Sequence, residues 1–259
     1  MQWFTTSHKV SAQMEADAIR LAARYKGEYA LREDLSVVDW LEKHKTTGGF
    51  VLTSAGLRYW TKGAEQPLFF HPNMAYVRLQ RVLRGENDPL LKAVQANAGD
   101  HIVDCTAGFA ADAIMLAYAA GASGTVTAIE SESNIYILVK EGLRHYKADW
   151  GELESIMARI EVTQADYKQW LRSAPANSCD ILYFDPMFDR PVEASASFSP
   201  LRALANHAPL SEADVHEACR VARRRVVLKA RKGSELFARC GFTLTGTASN
   251  QVAYGVIEL

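Results

Sequence analysis

The stretch ILYFDPMFD, Ile181 to Asp189, ends an apolar run on a carboxylate joined to a proline. Asp185 and Pro186 could do chemistry as a pair. The carboxylate and the Pro186 carbonyl are two hydrogen-bond acceptors, and the proline ring fixes φ, so the link between them is stiff. Such a pair suits an exocyclic amine on a nucleobase. That nitrogen's lone pair is delocalised into the ring, and accepting its N–H hydrogens lets it pyramidalise towards an incoming methyl group. Phe188 offers an aromatic face to the same base, and stacking of that kind contributes about 1–3 kcal/mol. An Asp-Pro turn closing a buried strand gives the same string, so the reading depends on what else reaches this place.

Three more strand-like runs stop near a carboxylate. The first is followed by DCTAGFAADA, which holds Asp104, Thr106, Gly108 and Asp112. Gly108 can make a tight turn, and a helix starting near Asp112 directs free backbone N–H groups at whatever lies before it. The second run stops on Glu130, 22 residues after Gly108, the distance at which dinucleotide-type folds place an acid on a ribose diol. The third stops at Asp166 and the fourth at Asp185. In a parallel sheet these ends share one rim, where ligands bind. Nicotinamide and flavin dinucleotides need a glycine-rich pyrophosphate cradle, but G-F-A-A-D-A keeps one glycine, and Asp112 would repel the phosphates. S-adenosylmethionine (SAM) has no phosphate and carries a sulfonium and an ammonium, which acids suit.

The elements that position these residues follow from periodicity. After Gly99, strand and helix alternate. HIVDCTA is a strand, Asp112 to Ala120 a helix, GTVTAIE a strand, Glu132 to Tyr146 a helix and Glu152 to Arg159 another. IEVTQAD and DILYFD are strands, Ser211 caps a helix, and RVVLKA, FTLTGTA and VAYGVIEL are the last three strands. Near-continuous apolar strands alternating with helices predict a parallel sheet covered on both faces. Two closing strands with no helix between them predict an antiparallel hairpin at one edge. Before Gly99 the chain predicts helices over Ser11 to Tyr25, Leu35 to His44 and Met74 to Leu83, a hairpin set in FVLTSAGLRYWTKGAEQPLFFHP, and a helix opened by Pro89. The expected organisation is an N-terminal α+β extension with lead-in helices over residues 1–98 and an α/β domain over residues 99–259.

Composition sets outer limits. With 259 residues, 48% hydrophobic and 23% charged, the chain can bury a full core. No apolar run approaches the roughly 20 residues of a membrane helix, and the N-terminus lacks a basic segment followed by an apolar one, so a cytoplasmic protein without a membrane partner is expected. Cys105, Cys179, Cys219 and Cys240 are far apart without a C-x-x-C pair, which predicts free thiols and no metal. A net charge of −1 excludes a uniformly basic nucleic-acid binder but allows a local basic face. Arg220 to Arg239 holds eight basic residues against one acidic residue, and Arg78, Arg81 and Arg84 form a thinner cluster.

VDCTAGFAADA together with YFDPMF resembles the small-subunit ribosomal RNA methyltransferase J family, and the resemblance extends over roughly residues 68 to 232. FFHPNMAYVRLQRVLRGENDPLLKAV is similar to the segment before that family's cofactor loop. The resemblance implies a Rossmann-like class I methyltransferase fold, a mostly parallel seven-stranded sheet with an edge hairpin. It implies transfer of methyl from SAM to the 2-amino group of a guanosine in RNA. Carried over, Asp112 lies beside the cofactor, Glu130 and Ser131 at its ribose, Asp166 and Tyr167 beside the adenine, and Asp185 at the reacting end. One departure stands out: the family's G-L-G-R-D has Ala110 and Ala111 at its third and fourth positions here, whereas Asp-Pro-Met-Phe stands as in that family, in place of the Asp-Pro-Pro-Tyr of the wider amino-methyltransferases.

For the substrate, Lys229 and Arg231 in LKARK are expected at the rim as phosphate contacts, with His71, Asn73 and Arg78 along the approach. His71-Pro72 also reads as a helix-entry turn. The long polar segment after Asp189 is expected to order when substrate binds, and a target base inside a duplex has to be flipped out. Two other functions fit the same pattern: a methyltransferase acting on DNA or a small molecule, and a non-catalytic nucleotide- or RNA-binding module on the same fold.

Overall fold

Two β-sheets organise the chain. A computed structural model describes residues 1–8, 10–186, 209–247 and 251–259. The first sheet has the order β2-β1-β3-β4-β5. Its strands are β1 (Trp3–Thr6), β2 (Glu28–Tyr29), β3 (Gly48–Thr53), β4 (Gly56–Thr61) and β5 (Leu68–Phe69). Helices α1 (Ala12–Arg24) and α2 (Val37–Lys43) are capped by Ser11 and Ser36, whose side chains accept from Met14 and Asp39 N–H. The hairpin set expected here is β3 to β5. β1 and β2 were not legible: β1 pairs in parallel with β2 and β3, and no turn signal announces a parallel contact.

The second sheet has the order β11-β12-β10-β9-β6-β7-β8. Its strands are β6 (His101–Asp104), β7 (Thr125–Glu130), β8 (Ile160–Gln164), β9 (Cys179–Phe184), β10 (Ala222–Arg231), β11 (Thr243–Thr247) and β12 (Val252–Glu258). β6 to β10 pair in parallel, while β12 runs antiparallel to β10 and β11. The expected mostly parallel sheet with a C-terminal hairpin is therefore present. β9 shows why its run is apolar throughout. Ile181 and Tyr183 enter the core on one face, Leu182 and Phe184 that on the other, as period-two alternation in a doubly covered strand requires.

One face is covered by α3 (Asn73–Leu83), α4 (Pro89–Val94), α5 (Ala111–Ala119), α6 (Ser133–His145) and α7 (Gly151–Met157). The other is covered by α8 (Tyr167–Ser173), α9 (Glu212–Val221) and α10 (Glu235–Arg239). α8 escaped the sequence reading because its seven residues are too short for a periodic signal. From β6 the chain winds outwards to β8, then returns beside β6 as β9. That reversal opens a crevice at the C-terminal ends of β6 and β9.

The two sheets meet across α6. Ile137 and Leu138 of α6 share a buried cluster with Phe4, Phe50, Tyr59 and Leu68, and Phe109 packs against it. Glu141, buried in α6, accepts from Arg24 at 2.9 Å and from the Tyr25 hydroxyl. Further along, Gly142 lies under Phe70: a Cβ there would come within 2.2 Å of the ring. Gly142→Ala is expected to destabilise the fold by about 1–3 kcal/mol through overpacking, despite alanine's better helix propensity. A lowered urea midpoint at unchanged slope would read this out; an unchanged midpoint would mean the contact is loose.

The basic run does not form the single face expected of it. Arg223 pairs with Asp180 at 3.0 Å, Arg224 with Asp100, and Arg225 with Glu258 at 2.5 Å and the Ala93 carbonyl at 2.8 Å. These partners sit where β6 and β9 begin and β12 ends, the far end of the sheet from the crevice. At about 3.3 Å per strand residue, Arg225 and Lys229 are roughly 13 Å apart, so only the end of the run reaches the crevice rim.

Candidate active site

Register carries Asp185 to the crevice. Asp104 pairs with Tyr183, and Leu228 with Phe184, so Asp185 leaves β9 between the loop that follows β6 and Lys229 of β10. The Asp185 N–H donates to Thr106 Oγ1 at 2.7 Å, tying the Asp-Pro step to the first loop. Its Oδ2 accepts from Lys229 Nζ at 2.7 Å. Burial and then the nearby Asp112 charge raise the Asp185 carboxyl, while Lys229 opposes the rise.

The first loop is braced from β7. Gly108 has φ +50°, and a Cβ there would meet only the Thr106 carbonyl at 4.0 Å, leaving the loop open on that side. Its N–H donates to Glu130 Oε2 at 3.0 Å, and the Glu132 N–H donates to Oε1 at 2.8 Å. Ala110, with φ +61°, takes the left-handed position that opens α5, at a cost of about 1–2 kcal/mol for a residue with a Cβ. Glu130 is 8% exposed, and burial pushes its carboxyl up to about 7 against the pull of the backbone N–H groups. Asp104, 1% exposed, accepts the Thr106 N–H at 3.0 Å on Oδ1. Its Oδ2 is buried and has no partner among the described residues. Burial, with the charges of Asp112 and Asp185, raises Asp104 to about 8.

Asp112, in the first turn of α5, joins three elements. Its carboxylate accepts from Arg78 Nη1 of α3 at 2.5 Å, from Lys229 Nζ of β10 at 2.9 Å and from the Tyr183 hydroxyl of β9 at 2.7 Å. Burial alone would raise this carboxyl, but Lys229 and Arg78 outweigh it and hold Asp112 well below the usual carboxylate range. Arg78 also grips Asp88 with two hydrogen bonds, at 2.9 and 3.0 Å. Burial likewise opposes the charge on Lys229, and Asp112 and Asp185 overcome it, so the ammonium stays protonated.

The crevice thus gathers Asp104, Thr106, Gly108, Asp112, Glu130, Asp185, Pro186, Lys229 and Arg78. Ser131 follows Glu130, and its backbone hydrogen bond favours the charged form of that carboxylate. Asp166 stands at the end of β8 and caps α8, accepting from Lys168 and Gln169 N–H at 2.8 and 3.3 Å. Tyr167 lies with its ring 5.6 Å from that of Phe184. Arg231 is exposed where β10 ends. Phe188 and most of the long segment after it lie outside the described residues.

Four of the substrate-side expectations change. Arg78 and Lys229 do not offer free charge to a phosphate, because both are committed to carboxylates. His71 and Asn73 are not brought to the crevice. His71 Nδ1 accepts from Asn73 N–H at 3.1 Å, which leaves Nε2 facing the Tyr146 hydroxyl at 3.3 Å. Tyr146 follows the C-terminal end of α6, and α6 starts beside Glu130 and runs for 13 residues, about 20 Å, away from the crevice. The helix-entry reading of His71-Pro72 is the one that fits. Tyr183 was missed altogether, although a hydroxyl inside a buried run has to find a partner.

The donor set fits SAM better than a dinucleotide. The first loop closes on carboxylates, with a buried unpartnered oxygen on Asp104 suited to an ammonium. Glu130 keeps lone pairs beyond the two it gives to backbone N–H groups, enough for a ribose diol. Among the described residues no group of three or more His, Cys, Asp or Glu could hold a metal ion, and no helix is long and apolar enough to cross a membrane.

Comparison with known proteins agrees. Residues 53–245 match the family described as "Putative SAM-dependent methyltransferase". The uncharacterized protein YpiP of Bacillus subtilis (strain 168) is 37% identical over 254 residues, 98% of each chain. Ribosomal RNA small subunit methyltransferase J of Alteromonas mediterranea is 28% identical over 159 residues, and that of Rhodopseudomonas palustris (strain BisB5) 35% over 145. Those two matches span 59% and 63% of the relatives and 60% and 54% of this chain. The crystal structure of a SAM-dependent methyltransferase from Neisseria gonorrhoeae superimposes with a TM-score of 0.64 at 16% identity, covering 99% of this chain and 96% of that one, which marks the shared fold. The chain belongs to this family and is a class I SAM-dependent methyltransferase.

Proposed function

We propose that the protein methylates an exocyclic amino group of a nucleobase in the cytoplasm, namely N2 of a guanosine in small-subunit ribosomal RNA. The observation that carries this reading is the Asp185-Pro186 step: a carboxylate held by Lys229 on a backbone N–H tied to Thr106, followed by a carbonyl on a stiff link, at the rim shared with Glu130 and Gly108. When bound, SAM supplies an electrophilic methyl group on its sulfonium. Asp185 Oδ1 and the Pro186 carbonyl accept the two amine hydrogens and turn the nitrogen lone pair out of conjugation. Alignment then does most of the work. The raised carboxyl of Asp185 suits it to take the surplus proton, or to pass it to water, once the new N–C bond has formed.

The RNA reading is supported by the names of the relatives above and by the rim. Arg81 and Arg84, more than half exposed, share Glu86 as their one acidic partner among the described residues, and Arg231 and Lys232 are exposed at the end of β10. The Arg78–Asp112–Lys229 contacts join α3 and β10 at the crevice, and the exposed cations at the ends of these two elements suit a phosphate backbone. We read residues 1–98 as an extension that carries the first sheet and the lead-in helices, and residues 99–259 as the transferase domain. Comparing modified nucleosides in small-subunit rRNA from a deletion strain and its parent tests the substrate. Loss of one N2-methylated guanosine is expected, and an unchanged set of methylated bases would overturn the RNA assignment.

A further inference from the structure

We infer that Lys229 is a positioning residue for Asp185: its ammonium bridges the Asp112 and Asp185 carboxylates and fixes Asp185 so that Oδ1 alone faces the substrate amine. This rests on the amine-accepting role proposed above for Asp185. Lys229 reaches Asp112 at 2.9 Å and Asp185 at 2.7 Å, and 22% of its side chain is exposed.

The remainder of the network holds the bridge in place. Asp112 cannot swing towards Asp185, because Arg78 at 2.5 Å and the Tyr183 hydroxyl at 2.7 Å hold it from α3 and β9. Arg78 is itself fixed on Asp88. Lys229 therefore sits on a rigid anion and presents its remaining N–H donors to Asp185 Oδ2. A carboxylate on one carbon–carbon bond can rotate about χ2; a hydrogen bond to one oxygen stops the rotation and selects the other oxygen for the amine. This is a different task from the phosphate contact that the sequence suggested.

The groups facing Asp185 set the direction of its titration. Lys229 of β10 and Arg78 of α3 favour its charged form, while Asp112 of α5 disfavours it, after burial. Asp104 of β6, Tyr183 of β9 and Tyr254 of β12 also sense its charge. Among the favouring groups Lys229 contributes most. Removing its charge leaves burial and Asp112 in place, so the carboxyl rises. The ionised form is then lost at a higher pH than in the wild type.

The test uses the full-length protein with and without substrate. Carbon-13 carboxyl resonances, with Asp185 assigned by its loss in Asp185→Asn, are titrated in the wild type, Lys229→Met, Lys229→Gln and Lys229→Arg. Methyl transfer from radiolabelled SAM to small ribosomal subunits of a deletion strain is followed across pH. Lys229→Met and Lys229→Gln are expected to move the Asp185 midpoint upwards by more than one pH unit. The acid limb of kcat should move with it, and kcat should fall at least tenfold at neutral pH, with SAM affinity within about threefold of wild type. Lys229→Arg should restore midpoint and limb, because a guanidinium can also bridge two carboxylates. Lys229→Gln retains an uncharged hydrogen-bond donor on a side chain one atom shorter and covers the case in which Lys229→Met does not fold. An Asp185 midpoint unmoved in the neutral variants overturns the inference. A moved midpoint with a wild type inactive on ribosomal subunits would instead remove the RNA assignment and leave the hold of Lys229 on Asp185 standing.

Discussion

Asp185→Asn is expected to lower the rate of methyl transfer by about 10²–10³-fold, the usual cost of removing one preorganised electrostatic partner. Asparagine matches aspartate in shape but carries one acceptor and one donor group. If its NH2 group occupies the Oδ2 position, it faces the Lys229 ammonium, donor against donor. If its oxygen takes that position instead, the NH2 group faces the substrate amine and repels it. Neither orientation satisfies both sides. The Thr106 contact uses the Asp185 backbone N–H and survives, so the strand end keeps its place and the loss falls on the chemical step. Single-turnover transfer to small ribosomal subunits, with thermal unfolding as a check on folding, measures it. Turnover at the wild-type rate would remove Asp185 from the reaction.

Glu130→Gln is expected to weaken SAM binding about 10- to 100-fold. Hydrogen bonds to a charged group contribute about 1.5–3 kcal/mol, and each 1.4 kcal/mol is a factor of ten. The substitution acts twice. It removes the charged acceptor for the ribose diol, and it sets an NH2 group against one of two backbone donors, Gly108 or Glu132. Acidity adds a signature. Burial raises the Glu130 carboxyl to about 7, so the better acceptor, the ionised form, is depleted as pH falls below 7. Wild-type affinity should therefore drop from pH 8 to pH 6 and level off above about 7.5, whereas the Gln variant should lack that step. Calorimetry at several pH values decides it. A variant with wild-type affinity at pH 8 would mean that Glu130 only braces the loop.

Much of this site was legible because its signals are local. A strand that stops on Asp185-Pro186, a glycine in a turn before a helix and an acid 22 residues later are each readable from a few neighbouring residues. The alternation of apolar runs predicts the parallel sheet, and in such a sheet strand ends converge. The first sheet was half legible: β3 to β5 are joined by tight connections, whereas β1 and β2 exist only through parallel pairing with distant partners. His71 looked available because a sequence shows a polar residue near a motif and not which end of a helix it will meet.

By itself the sequence determined the fold class and the kind of cofactor, because these depend on periodicity and on chemistry contained in short segments. Only the tertiary structure decided what the charges do. Lys229 and Arg78 read as cations for a phosphate, yet each is satisfied by Asp112, at sequence separations of 117 and 34 residues. Arg223, Arg224 and Arg225 belong to the same basic run and pair with acids at the opposite end of the sheet. The physical reason is that a buried charge must be matched by whatever carboxylate the packing brings within about 3 Å. That partner is chosen by strand register and helix placement, which no local pattern of residues encodes.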